Sequence, residues 1–272
     1  MFGAIAGDVI GSAYEYAGLK NPDFPLFESR TTFTDDTVLT VAVAFALLGN
    51  RDYGTALREF GRRYPDRGYG AHFSLWLASS QAGPYKSWGN GSAMRVGPVG
   101  FAARTEGEAL TEARRSAAVT HNHPEGIKGA QATALAIFLA RSGKSKEEIR
   151  EAIASRFDYG LSKTAEAIRP AYTYDVSCQG SVPESIICFL DSEDWESCVR
   201  NAVSLGGDAD TMACIAGGIA HAYHGSVPRT IRERIEKLLP DEFLEIIREF
   251  EKRFGVGSPP ESRADTLRDG SS

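Results

Sequence analysis

Gly206-Gly207-Asp208-Ala209-Asp210-Thr211-Met212-Ala213-Cys214-Ile215-Ala216-Gly217-Gly218-Ile219-Ala220 is the stretch on which the fold turns. It carries helical apolar periodicity over 210–224. Within it Ala213, Ala216, Gly217, Gly218 and Ala220 make a stripe of small side chains that lets another helix approach closely. A run this apolar belongs deep inside a helical assembly, so it is expected to be a central helix. Two carboxylates and a threonine (Asp208, Asp210, Thr211) open it. The same set opens a second apolar run, at Thr34-Asp35-Asp36-Thr37 before Val38-Leu39-Thr40-Val41-Ala42-Val43-Ala44-Phe45-Ala46-Leu47-Leu48.

Outward from these two runs the chain continues in helical signals. Residues 34–49 form one expected helix. Residues 105–119 form another, with Glu106 and Glu108 in the first turn, where the helix dipole favours acids. Pro124 starts 124–141, Ser145 with Glu148 makes a capping-box signature for 146–157, and Asp194 caps 195–205. Residues 228–238 and 240–253 each begin at proline. No stretch alternates apolar and polar residues over a strand length. The expected fold is all-α, with long functional loops at about 20–33 and 61–100. Neither a repeat nor a linker appears, so 1–254 is read as one domain, and 255–272, poor in apolar residues, as a disordered tail.

The 272 residues are 42% hydrophobic and 24% charged, an ordinary globular balance. A net charge of −6 argues against a general nucleic-acid binder, although it leaves open a nucleotide-like ligand held by backbone amides. Cys178, Cys188, Cys198 and Cys214 show no metal or redox spacing and read as small apolar residues in a reducing compartment. The start, Met1-Phe2-Gly3-Ala4-Ile5-Ala6-Gly7-Asp8, lacks a basic n-region, and no apolar run reaches the roughly 18 residues of a membrane span. The expected location is cytoplasmic.

An acid in a first helical turn commonly serves as a cap. Asp35 and Asp36, however, point about 100° apart on a helix and cannot both serve one cap. Asp208 and Asp210 follow a glycine pair whose backbone permits close approach. If the clusters meet, four carboxylates repel one another unless a cation sits among them, and oxygen donors of this kind suit Mg²⁺, Mn²⁺ or Ca²⁺. Gly89-Asn90-Gly91-Ser92-Ala93-Met94-Arg95 offers backbone amides to an anion, and Thr120-His121-Asn122-His123-Pro124 precedes a helix N-terminus that does the same. His121 is read as a ligand contact and His123 as structural. His221 and His224 are read as helix-end capping or surface residues. Of the aromatics in 61–88, only Trp88 is taken to touch ligand.

Gly7-Asp8, Ser12-Ala13-Tyr14-Glu15, Thr34-Asp35-Asp36-Thr37, the Gly89–Arg95 segment, Thr120–Pro124 and Gly206–Thr211 together resemble the ADP-ribosylglycohydrolases, in that family's order and over roughly residues 1–226. The resemblance implies an all-α orthogonal bundle with two Mg²⁺ ions, or Mn²⁺ as a substitute, in a cleft that takes ADP-ribose or an ADP-ribosylated substrate. It implies metal binding by Thr34, Asp35, Asp36, Asp208, Asp210 and Thr211. It also implies ligand binding by Ser87, Trp88, Gly89, Asn90, Gly91 and His121. Glu15 matches a glutamate near one metal that gates the cleft. Ser87 stands where the arginine-linkage bacterial enzymes tend to carry aspartate, which leans toward the serine-linkage or O-acetyl-ADP-ribose branch.

The implied reaction cleaves the glycosidic bond between the distal ribose of ADP-ribose and an acceptor, through an oxocarbenium-like state. Glu15, Asp35 and Asp36 are the catalytic candidates, with Asp35 or Glu15 placed to accept a proton. Three other readings compete: two-metal phosphoester or pyrophosphate hydrolysis, an ADP-ribose reader without turnover, and a structural protein with acidic caps.

Overall fold

The computed structural model describes residues 1–257, and the sequence-derived tail lies almost wholly outside them. All regular structure among the described residues is helical: α1 (Phe2–Gly11), α2 (Asp35–Gly49), α3 (Tyr53–Arg63), α4 (Ala71–Ala78), α5 (Gly91–Met94), α6 (Gly97–Ala102), α7 (Glu106–Ala118), α8 (Pro124–Arg141), α9 (Lys146–Phe157), α10 (Ala165–Ile168), α11 (Cys178–Leu190), α12 (Trp195–Val203), α13 (Ala209–His224), α14 (Arg229–Glu236) and α15 (Asp241–Phe254). An isolated bridge between Gly89 and Ser177 is the one extended pairing among them.

The core is organised around α13, buried on every side from Ala209 to Ala222. It packs most extensively on α1, and also on α12, α11 and α8. Contact with α1 is backbone to backbone. A Cβ built on Gly3 would lie 2.4 Å from the Gly217 carbonyl oxygen, one on Gly7 2.0 Å from that of Ala213, and one on Gly11 2.5 Å from that of Ala209. Three glycines at i, i+4 and i+8 thus face three small residues at the same spacing, a ridge without side chains against a ridge of alanine and glycine. α2 packs on α1, α3, α6 and α15, which brings its N-terminus to the side of α1 that α13 also approaches.

Four further helices, α1, α3, α10 and α11, lie outside the stretches read as helical. In α1 the glycine stripe replaces the apolar periodicity that marks an amphipathic helix. α11 holds Pro183 and two serines, yet Ser181 and Ser185 donate to carbonyls one turn back (2.6 and 2.7 Å), which satisfies them inside the core. α3 is strongly amphipathic, capped by Asp52 through the Thr55 amide at 2.8 Å. The segment 61–100 is likewise no continuous loop, since α4, α5 and α6 lie within it. His221 is no surface residue: it is buried, and its Nδ1 accepts from the Gly3 amide (3.1 Å), capping α1 from the neighbouring helix. No helix among the described residues is long and apolar enough to cross a membrane.

Candidate metal centre and ligand cleft

Thr34 is the N-cap of α2, its Oγ1 accepting from the Asp36 amide at 3.2 Å. With the cap supplied by threonine, Asp35 and Asp36 have no capping task. Asp208 occupies the N-cap position of α13 but makes no side-chain cap bond; its Oδ2 instead accepts from Asn90 Nδ2 at 2.7 Å. The simple explanation of both acidic clusters therefore fails in this structure.

The α1–α13 crossing and the approach of α2 bring the clusters together. Carboxylate oxygens of Asp8, Asp36 and Asp210 lie within 4.8 Å of one another, as do those of Glu15, Asp208 and Asp210. Thr211 Oγ1 bridges the clusters by donating to Asp36 Oδ2 at 3.2 Å. Asp8 is the member that sequence reading passed over, although a lone aspartate within Phe2–Gly11 was a signal. Fully buried, it accepts from the Thr34 amide (3.1 Å), Thr34 Oγ1 (2.7 Å), the Thr37 amide (3.1 Å) and Thr37 Oγ1. It thereby ties α1 to the first turn of α2.

Burial, reinforced by the neighbouring carboxylates, pushes Asp35, Asp36 and Asp210 well above the usual carboxylate range. Burial also raises Asp208 and lifts Asp8 to about 6, with hydrogen bonds opposing the rise in both. Asp36 Oδ1 is buried without a hydrogen-bond partner among the described residues. An orphaned acceptor inside a carboxylate cluster is a fitting donor set for a hard divalent cation, which removes the repulsion and fills the vacant lone pair.

Asp35, Asp36, Asp208, Asp210 and Thr211 line a cavity of about 490 Å³ together with Glu15, Thr34, Ser87, Gly89, Asn90, Gly91 and His121. The glycine segment is held in place by the start of α11, with the Asn90 amide donating to Val176 O (2.8 Å) and the Cys178 amide to Trp88 O (2.9 Å). Ser87 Oγ accepts from the Gly89 amide at 3.1 Å. Glu15 is half-buried and accepts from the Tyr174 hydroxyl at 3.3 Å. Trp88 does not line the cavity: its ring is half-exposed and sits 5.5 Å from that of His123. His123 Nδ1 accepts from the Glu125 amide, a structural N-cap for α8. Tyr69, Tyr85, Tyr174 and Arg95 line the cavity without having been singled out; aromatic spacing alone did not separate them from core residues.

A buried carboxylate cluster in the wall of a ligand-sized cleft, on an all-α scaffold, defines a class of hydrolase. Residues 1–259 match the ADP-ribosylglycohydrolase profile, and the chain belongs to that family. It is similar to human ADP-ribosylhydrolase ARH3, 28% identical over an alignment that covers 86% of this chain and 87% of the relative. The ARH3 of cattle aligns equally, at 29% identity, and the chain falls in this branch. ADP-ribosylarginine hydrolase Tri1 of Pseudomonas putida is 24% identical over 83% of this chain and 69% of its own. A solved ADP-ribosylglycohydrolase-related protein complex superposes with a TM-score of 0.70 at 25% identity, covering 91% of this chain and 95% of the other.

Proposed function

We propose that this chain hydrolyses the glycosidic bond between the distal ribose of ADP-ribose and an acceptor, and that its acceptor is a serine side chain or an O-acetyl group. The observation that carries the reading is the convergence of Asp8, Asp36 and Asp210 with Glu15 and Asp208, four of which line the cleft. Thr34, Asp35, Asp36, Asp208, Asp210 and Thr211 would hold two Mg²⁺ ions, for which Mn²⁺ could substitute. Bound there, the ions supply Lewis acidity and fix the ribose hydroxyls.

The chain's own groups divide the remaining work. Gly89, Asn90 and Gly91 present backbone to the ligand, with Ser87 and His121 beside them. Asn90, held on Asp208, couples the ligand loop to the carboxylates. Glu15 and Asp35 are the acceptors for the proton lost by attacking water. Residues 1–254 would act as one catalytic domain, and four unpaired buried cysteines fit a reducing cytoplasm.

The test is release of free ADP-ribose from serine-, arginine- and DNA-linked ADP-ribose and from O-acetyl-ADP-ribose, with Mg²⁺ and with EDTA. Metal-dependent release from the serine or O-acetyl substrate is expected. Release of AMP would move the protein to the phosphohydrolases, and tight ADP-ribose binding without turnover would make it a reader.

A further inference from the structure

Arg95 is fully buried just past α5, and its guanidinium is only partly used. Nη2 donates to Ser116 O (3.1 Å) and to Thr120 Oγ1 (2.8 Å), while Nε and Nη1 have no partner among the described residues. Retaining so costly a charge in the wall of the cleft calls for a reason. Thr120 Oγ1 lies 2.7 Å from His121 Nδ1. Arginine has donors and no acceptor, so the Thr120 oxygen receives from Arg95. Two acceptors are within reach of the hydroxyl's own proton, the Tyr85 hydroxyl oxygen and the imidazole Nδ1; the imidazole nitrogen, far more basic than a phenol oxygen and at 2.7 Å, takes the proton. Nδ1 therefore presents its lone pair, and the ring proton belongs on Nε2. That nitrogen has no hydrogen-bond partner among the described residues, and it faces the glycine segment. A Cβ built on Gly91 or Gly89 would lie 3.3 or 3.6 Å from it.

We propose that Arg95 and Thr120 are positioning residues that hold His121 as the neutral Nε2–H tautomer, so that the cleft offers a fixed donor to an oxygen of the ADP-ribosyl ligand. The ligand's identity rests on the function proposed above; the tautomer does not. Burial, aided by the Arg95 charge, drives the imidazole pKa well below its usual value. Arg95 just past α5 and Tyr85 from the segment before α5 are the titratable groups facing the ring, and the tyrosine is itself raised by burial, so neither supplies an anion near neutral pH. His121 is thus a hydrogen-bond donor in this cleft and not a base.

The relay is read directly by long-range ¹H–¹⁵N correlation spectroscopy on the full chain labelled at histidine, without ligand. His121→Gln assigns the signal. An imine-type Nδ1 and a pyrrole-type Nε2 are expected, unchanged across neutral pH; a protonated Nδ1 in the wild type overturns the proposal. In Arg95→Met the freed hydroxyl can accept from Nδ1–H, so a second tautomer should appear. The consequence for binding is read by ADP-ribose calorimetry. Thr120→Val, nearly isosteric, should weaken affinity by roughly three- to tenfold, the size of one lost oriented hydrogen bond. Thr120→Ser should restore it, and His121→Gln, whose amide reaches where Nε2–H stood, should bind more tightly than His121→Asn. Wild-type affinity in Thr120→Val refutes the positioning role. Failure of the wild type to bind ADP-ribose would instead strike the proposed function, leaving the tautomer to the spectrum.

Discussion

Replacing Gly7 by alanine is the sharpest probe of how the fold builds the site. A Cβ at this position would stand 2.0 Å from the Ala213 carbonyl oxygen and 2.9 Å from the Cys214 amide nitrogen, both backbone atoms that cannot rotate away. Clearing 3.0 Å therefore demands a separation of α1 from α13 of at least about 1 Å. Overpacking of this kind costs about 1–3 kcal/mol, which in a chain of this size lowers Tm by roughly 2–12 °C. The neighbouring residues are Asp8 on one helix and Asp210, beyond the Ala209 contact, on the other. Their carboxylates would be pulled out of the 4.8 Å grouping. A misplacement near 1 Å lowers catalytic efficiency by about a hundredfold. Gly160→Ala, where a Cβ meets nothing within 4 Å, serves as the control and should stay within about 0.5 kcal/mol of the parent. The assay is thermal unfolding with and without Mg²⁺, beside turnover. Should Gly7→Ala melt like the parent and keep its Mg²⁺ stabilisation, the glycine ridge does not set the carboxylate spacing, and the reasoning is wrong.

Asp36→Asn is expected to lower kcat/KM by about 10²–10³-fold, the scale for loss of one preorganised electrostatic group. In EDTA the same variant should be more stable than the parent, because it removes one of the mutually repelling carboxylates; a variant less stable in EDTA contradicts this. Asp8 supplies a pH signature. Its folded pKa of about 6 exceeds its unfolded value of 3.8, so between these the ion-free folded state holds the extra proton. Its contribution to stability is therefore present at about pH 4 and lost as pH rises through about 6, on the order of 3 kcal/mol. In EDTA the parent should lose stability relative to Asp8→Asn over that interval, whereas stabilisation by Mg²⁺ should grow with pH as the carboxylates deprotonate; urea melts at several pH values decide it. Arg58 pins the segment leading to the ligand loop, donating to the carbonyls of Trp76, Ser79 (2.7 Å) and Ala82 (2.7 Å) with its guanidinium 3.5 Å over the Trp76 ring. Arg58→Lys keeps the charge but loses the fork, and should raise KM about three- to tenfold with a smaller change in kcat; an unchanged KM would separate this segment from substrate binding.

Where a helix carries its own signals, the sequence was legible almost to the residue. The reading of 124–141 and 146–157 matches α8 and α9, because Pro124 and the Ser145–Glu148 box are local devices that act on their own turn. The helices read at 34–49 and 210–224 match α2 and α13 to within a residue for the same reason. α1 and α11 were missed because what stabilises them is not local. Gly3, Gly7 and Gly11 are poor helix formers that become favourable only against the small ridge of α13. Pro183 and the α11 serines are tolerated only inside a core that satisfies them. His221 was read as a cap of its own helix end or a surface residue, whereas it caps α1 from the core, because its partner, the Gly3 amide, lies 218 residues away.

The sequence by itself determined the ingredients: helical elements without strands, two carboxylate–threonine clusters at helix starts, and the motif set that the ADP-ribosylglycohydrolases share. Capping, periodicity and side-chain chemistry act over a few residues and survive reading along one dimension. Only the tertiary structure decided that the clusters meet, that Thr34 and not an aspartate caps α2, that Asp8 completes the acidic group, and that Trp88 turns away from the cleft toward His123. The meeting of the clusters and the place of Asp8 depend on the separation of α1, α2 and α13, and packing sets that separation across more than two hundred residues of chain.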